Sequence, residues 1–531
     1  MRTPLVAPVP MFYVCSMSGV HLVWFKRDLR VHDHAPLLAA LASGAPVLPL
    51  YLFEPSEWAQ PEQSRRQFDF LLDSLRELDA ALVIRGSGLI VRSGDAAEIL
   101  SSLHREFGLA AIHAYEDPSV ARIRERDRQV QRWARNAGVS LREQPQPGIE
   151  RGGARDAWRA RFERRMTEPR GKAPDAIPSP AIPAPHWPIA EDFGLGEDDC
   201  PARQPGGRTA GVECLRAFLQ ARGHPLTHPS PASAPDDEPA SHLSPHLAFG
   251  TLSLREAWQA ARRAADSREA LGDAEFAASA GAFLARLGLH AEFAQALEDQ
   301  AARGSATLLP AHDGLRPRAE PGDPRLQAWL DGRTGFPFLD ACMRALKATG
   351  WLSYRTRALA MGFVSHHLWL DWQMPAERFA ALFTDFVPAI HYAQAELQAA
   401  ATGVDAPRIF NPVKQSRELD PHGAFIRRWV PELARLPDAL LHSPWEAPPE
   451  FLSAAGVVLG QTYPMRIVDH MAAANEARAR IAAVRRENGS AAAADDFKAR
   501  IGGRRRLAPR RAAPKGVPGQ LALDFGHARV S

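Results

Sequence analysis

The chain has 531 residues, 45% hydrophobic and 24% charged, with a formal net charge of +3. That length exceeds one ordinary domain, so two are expected, and no apolar run reaches the roughly 18 residues that a membrane-spanning helix needs. The four cysteines (Cys15, Cys200, Cys214, Cys342) are far apart with no CxxC pair, which fits a reducing cytoplasm and argues against disulfides, a metal site or an iron–sulfur cluster.

The first 18 residues, MRTPLVAPVPMFYVCSMS, are mildly apolar but broken by three prolines. They make a poor signal peptide, and residues 1–19 read as a loose extension. From 20 to 150 short apolar runs alternate with amphipathic segments. HLVWF (21–25), PVLPLYLF (46–53), ALVIRG (81–86), AAIHAY (110–115) and VSLRE (139–143) read as buried strands. HAPLLAALAS, SRRQFDFLLDSLRELDAAL, DAAEILSSLHREFG and SVARIRERDRQVQRWARNAG read as the helices around them. Such alternation predicts a parallel five-stranded α/β sheet, Rossmann-like in its crossovers. No GxGxxG follows the first strand, so a dinucleotide reading has no support.

Residues 151–207, proline-rich from 167 on, read as an interdomain linker, and a second proline-dense loop covers 223–240. From 208 to 485 the pattern is helical, rich in Ala, Leu and Arg, and predicts an all-α second domain. Residues 486–531 read as a disordered tail. From Gly503 that tail holds seven cations against Asp524, a net +6, so the preceding residues carry −3. The body is therefore not basic overall, and any nucleic-acid footprint has to be a local patch or the tail.

The helical half holds polar groups that a plain bundle does not need. SHLSPHLAFG places Ser241, Leu243 and Ser244 at a helix start with Pro245 in its first turn. That is either a simple N-cap or an anion cradle. TGWLSYRTRAL (349–359) sets Arg355 and Arg357 in an apolar helical run. Buried arginines need an anionic partner, and Asp385 in LFTDFVPAIHY is a candidate, within either a structural ion pair or a ligand site.

Together these pieces resemble the photolyase/cryptochrome family. HLVWFKRDLRVHDHAPL (21–37) is similar to its first strand and loop, and SHLSPHLAFGTLS to its flavin phosphate turn. Residues 333–372 resemble its central flavin-binding helices, and RIFNPVKQSRELDPHGAFIRRWVPEL and YPMRIVDH its closing segments. The resemblance runs from about 20 to 480 in the family's order.

It implies an all-α FAD-binding domain behind the α/β domain, with an antenna pigment, a pterin or a deazaflavin, as a further group for the α/β half. Glu116 in HAYEDP marks where some relatives hold a pterin. Ser241, Leu243 and Ser244 would take the flavin phosphates. His290, Tyr354, Arg355, Arg357 and Asp385 would line the flavin, with Arg357 paired to Asp385 over the ring. His391 would stand near the flavin N5 position, and Trp372 would be the middle tryptophan of an electron chain. The implied reaction is blue-light repair of a pyrimidine dimer flipped out of DNA, by a soluble monomer; the alternative is a photoreceptor or a non-catalytic homologue.

The departures bear on that choice. Leu289 replaces the lesion-stacking tryptophan and His290 an arginine, while Phe293 is kept. Ala240 and His242 replace a threonine and an arginine, and Val387 a second acid. The flavin-proximal tryptophan falls near Gln398, and none lies between Trp372 and Trp429, leaving Tyr392 or Trp369 as substitutes. In the tail, Gln520, Leu523 and Phe525 match a Q-x-x-L-x-F pattern. It resembles the peptide that docks bacterial repair proteins on the sliding clamp.

Overall fold

The structure is a computed structural model and describes residues 19–146, 148–149, 158–220, 240–299, 314–401 and 408–487. The extension 1–18, most of the loop 223–240 and the tail, with Gln520–Phe525, lie outside the described residues.

Five strands, β1 Val20–Phe25, β2 Val47–Phe53, β3 Ile90–Ser93, β4 Leu109–Tyr115 and β5 Ser140–Gln144, form one parallel sheet in the order β3-β2-β1-β4-β5. The crossovers run through α1 Ala35–Leu41, α2 Arg65–Val83, α3 Ala96–Phe107 and α4 Ala121–Ala137. Every residue of β1 is buried, as expected for a strand covered on both faces. Its side chains alternate: Val23 and Phe25 join one core, with Phe53 and Phe68, and Leu22 and Trp24 the other, with Leu48 and Ile112.

The third strand corrects the sequence reading. ALVIRG is not a strand. α2 continues to Val83 because its apolar stripe, Phe68, Leu71, Leu75, Leu78 and Leu82, keeps helical spacing to its end. Val83 and Ile84 then point outward, 58% and 83% exposed, and the strand forms at Ile90 instead. The interval 151–207 is also not all linker, since Trp158–Thr167 is a helix packed on the helix Leu254–Glu269.

The helical half holds α5 Leu254–Glu269, α6 Ala274–Asp299, α7 Pro337–Thr349, α8 Tyr354–His366, α9 Gln373–Ala381 and α10 Pro388–Gln398, with short helices and the long His470–Glu487 helix beyond. Its main core surrounds α7 and α8. Inside it Asp340 accepts hydrogen bonds from Thr334 N at 2.7 Å, Gly335 N at 3.0 Å and the Tyr463 hydroxyl at 2.6 Å. This carboxylate ties the segment around Tyr463 to α7. Among the described residues no helix is long and apolar enough to cross a membrane.

The loop after β1 joins the halves. Leu29 N donates to Phe249 O at 3.2 Å and Arg30 Nη1 to Gly250 O at 2.9 Å. Gly250 has φ +66° and lies so close that a Cβ there would meet Arg27 O at 2.2 Å. Only glycine serves at that contact.

Candidate functional site

α8 carries the arginines. It begins at Ser353, whose hydroxyl caps Thr356 N, directly after a tight turn closing α7 at Gly350. Gly350 has φ +71°, and its carbonyl accepts Thr384 N at 2.9 Å. That bond lays the 382–387 segment, between α9 and α10, along the start of α8.

Arg357 is held from three sides. Its Nη2 donates to Asp385 Oδ2 at 2.7 Å, its Nε donates to Leu352 O at 2.8 Å, and its guanidinium lies 4.1 Å from the centre of the Phe383 ring. The Asp385 side chain is 3% exposed and that of Arg357 28%. The other Asp385 oxygen, Oδ1, is buried with no hydrogen-bond partner among the described residues. Among the described residues the half-buried Arg355 guanidinium likewise forms no ion pair or hydrogen bond. An orphaned buried carboxylate oxygen is costly unless a further polar group meets it. That requirement is what a flavin with its diphosphate would satisfy.

His290 on α6 faces the same region. Burial lowers its pKa to about 4, against the opposing pull of the Asp385 carboxylate, so it is neutral at pH 7. Leu289 precedes it and is partly buried. His391 on α10 donates from Nε2 to Ala376 O at 2.8 Å, amid Phe379, Phe383 and Phe386. Burial lowers its pKa to about 4 as well. It is thus a neutral ring oriented by α9, and it does not bond Asp385. Tyr354 is 45% exposed and hydrogen-bonds the Gln398 side chain.

The turn 241–244 meets the segment leading into α8 through Trp351. Trp351 Nε1 donates to Ser244 Oγ at 3.2 Å, and its ring centre lies 4.5 Å from that of His242. His242 adopts φ +49°, so the turn 241–244 has a sharp backbone reversal. Leu243 is buried and its N–H reaches Ser241 Oγ at 3.4 Å. Trp372 sits apart, buried in the helical core at the start of α9, and its indole N–H has no partner among the described residues. Tyr392 packs on the same core, while Trp369, at φ +53°, lies between the guanidinium groups of Arg316 and Arg480 at 4.7 and 4.9 Å.

Two further residues escaped the sequence reading. Phe383 forms the floor under Arg357, two positions before Asp385, which was the only available signal. Gln67 on α2 donates to Phe383 O from the other half of the molecule, and nothing local marks it.

In the α/β half, strand order reverses between β1 and β4, the usual place for a ligand crevice. There Lys26 and Arg126 lie over the Trp24 ring at 4.4 and 5.0 Å and pair with Glu54, Asp117, Asp127 and Glu143. Glu116 follows β4, its N–H bonded to Gln144 O at 2.8 Å.

Family models match both halves: "DNA photolyase" over residues 21–147 and "FAD binding domain of DNA photolyase" over 283–483. A deoxyribodipyrimidine photo-lyase of Agrobacterium fabrum is 31% identical over 500 residues, spanning 88% of this chain and 98% of that one. The chain belongs to the DNA photolyase/cryptochrome family. A cryptochrome DASH of Gloeobacter violaceus is also 31% identical, over 86% of this chain and 95% of its own. The crystal structure of a bacterial class III photolyase from Agrobacterium tumefaciens superposes with TM-score 0.78 at 28% identity, covering 90% of this chain and all of that one. The helical half is thus the family's FAD-binding domain, and the Asp385 oxygen and Arg355 guanidinium, both without a partner among the described residues, fit that cofactor.

Proposed function

We propose that the protein is a photolyase that repairs pyrimidine dimers in DNA under blue light. The Arg357–Asp385 pair carries this reading. Reduced FAD, when bound, supplies the electron that splits the dimer. Arg357 and Arg355 set positive charge on the flavin wall, which favours an anionic reduced ring, while Asp385 fixes Arg357 in place. Neutral His290 and His391 add hydrogen-bonding capacity without further charge. Ser241, Leu243 and Ser244 would take the phosphates. Trp372, with Tyr392 or Trp369, would carry electrons inward to reduce the flavin. Relatives named deoxyribodipyrimidine photo-lyase support the repair reading.

The decisive experiment is loss of dimers from irradiated oligonucleotide under blue light by protein reconstituted with reduced FAD. Dimer loss in light and none in darkness is expected. Flavin-loaded protein that removes no dimers would favour the second reading, a blue-light photoreceptor. That reading draws on Leu289, an aliphatic side chain where the family stacks the lesion, and on relatives named cryptochrome.

Two partners complete the proposal. An antenna pigment at the switch point would have to displace part of the Lys26–Arg126 ion network. A purified sample absorbing as flavin alone would dismiss it. The tail peptide Gln520–Phe525 would dock on the sliding clamp, tethered by the 32 residues that separate Gln520 from the last described residue, Glu487. A pull-down unaffected by deleting 520–525 would remove that partner.

A further inference from the structure

The segment that carries Asp385 is bonded from the α/β half at four backbone carbonyls between Ala380 and Phe386. Gln67 Nε2 on α2 donates to Ala380 O at 3.2 Å and Phe383 O at 3.0 Å. Its neighbour Arg66 donates from Nη1 to Leu382 O at 2.7 Å and to Leu346 O near the end of α7 at 3.0 Å. Arg27, in the loop after β1, donates from Nη1 to Phe386 O at 3.0 Å. Gln67 and Arg66 are each 3% exposed, so these donors have no water to exchange with. Asp198 neutralises Arg66, accepting from Nε at 2.7 Å and also from Nη2.

The placement is specific. Phe383 and Asp385 are the two groups that clamp Arg357, at 4.1 Å and 2.7 Å. The carbonyls of 380, 382, 383 and 386 bracket both. On its other side the segment is held, among the described residues, by one backbone bond, Thr384 N to Gly350 O. Hydrogen bonds to buried carbonyls fix a loop because breaking one leaves an unmet acceptor. The cation of Arg66 also lies where the carbonyl ends of α7 and α9 converge, a favourable site for positive charge.

We infer that Gln67, Arg66 and Arg27 are positioning residues of the flavin site: from the α/β half they set the Phe383–Asp385 segment that holds Arg357. The inference rests on the flavin reading of that site. It means that the α/β half is part of the flavin site's support, whether or not it holds a pigment.

The test uses the full chain, with FAD as the probe. Gln67→Leu and Arg27→Met keep bulk and remove the donors. Each should weaken FAD binding about tenfold, the cost of one unmet buried acceptor, and should move the reduction potential of bound flavin. Arg27→Lys, which keeps a donor, should recover most of the affinity. In an Arg357→Lys background the same two changes should cost much less, because the group they position is already displaced. Folding is followed in parallel by melting temperature. If soluble Arg27→Met or Gln67→Leu melts lower but binds FAD with unchanged affinity and potential, these residues are structural only and the inference fails. Equal losses in the wild-type and Arg357→Lys backgrounds would overturn it too. Should Gln67→Leu not fold, the Arg27 series alone decides. A wild-type chain that takes up no FAD would instead refute the flavin reading itself, a separate outcome.

Discussion

Arg357 donates to one oxygen of Asp385 at 2.7 Å while the second oxygen of that carboxylate is buried without a partner among the described residues. The pair is therefore only half complete within the protein. Removing the arginine would leave a buried, wholly unpaired carboxylate, which is more costly than deleting the pair together. Arg357→Ala should lose bound FAD on desalting, read as absence of flavin absorbance. A variant as yellow as the parent would show that this wall does not face the cofactor.

Arg355 is the complementary case, with no ion pair or hydrogen bond to its guanidinium among the described residues. Its removal takes nothing from the apo fold. Arg355→Ala should keep the apo stability within about 0.5 kcal/mol of the parent, as for a residue without structural contacts, while weakening FAD binding. A marked drop in the melting temperature of the apo protein would mean that Arg355 serves the fold.

Leu289 is partly buried on α6, beside His290. A flipped base stacked on an aromatic ring gains about 1–3 kcal/mol. Leu289→Trp should therefore tighten binding to dimer-containing DNA by roughly five- to hundredfold, measured against undamaged DNA of the same sequence. Equal gains on both DNAs would argue that Leu289 is not at the lesion.

Acid should destabilise the protein. Burial lowers His113, His246 and His367 to about 4 and His366 to about 3, from an ordinary value of 6.5. As pH falls below 6.5 the unfolded chain binds protons that the folded chain refuses. Stability therefore falls with pH, by up to about 1.4 kcal/mol per pH unit per histidine. Asp340 works in the opposite sense. Burial raises it to about 6, against the bonds from Thr334 and Tyr463, so the fold holds a proton that the unfolded chain releases down to its ordinary 3.8. With His290 and His391, lowered in the same way, six histidines outweigh one aspartate. The melting temperature should be lower at pH 5 than at pH 7, and the reverse order would contradict these burial effects.

Much was readable before any coordinates. Strand–helix alternation predicted the parallel sheet, and helical periodicity with proline breaks predicted the second, all-α half, because both signals are local and repeat every two or 3.6 residues. Motif order pointed to the family and to Arg357 with Asp385. ALVIRG failed because a short apolar run looks alike at a helix end and in a strand. Only the packing shows which side of Val83 and Ile84 meets the core. Trp351 bonding Ser244, Phe383 under Arg357, and Gln67 reaching Phe383 were equally unreadable. Each joins residues far apart in sequence, or depends on a backbone turn at His242 or Gly350, and no periodicity encodes those distances. The local chemistry along the chain marked the groups a flavin needs. Tertiary packing alone settled which carboxylate oxygen lacks a partner among the described residues, and that α/β donors hold the segment that carries it.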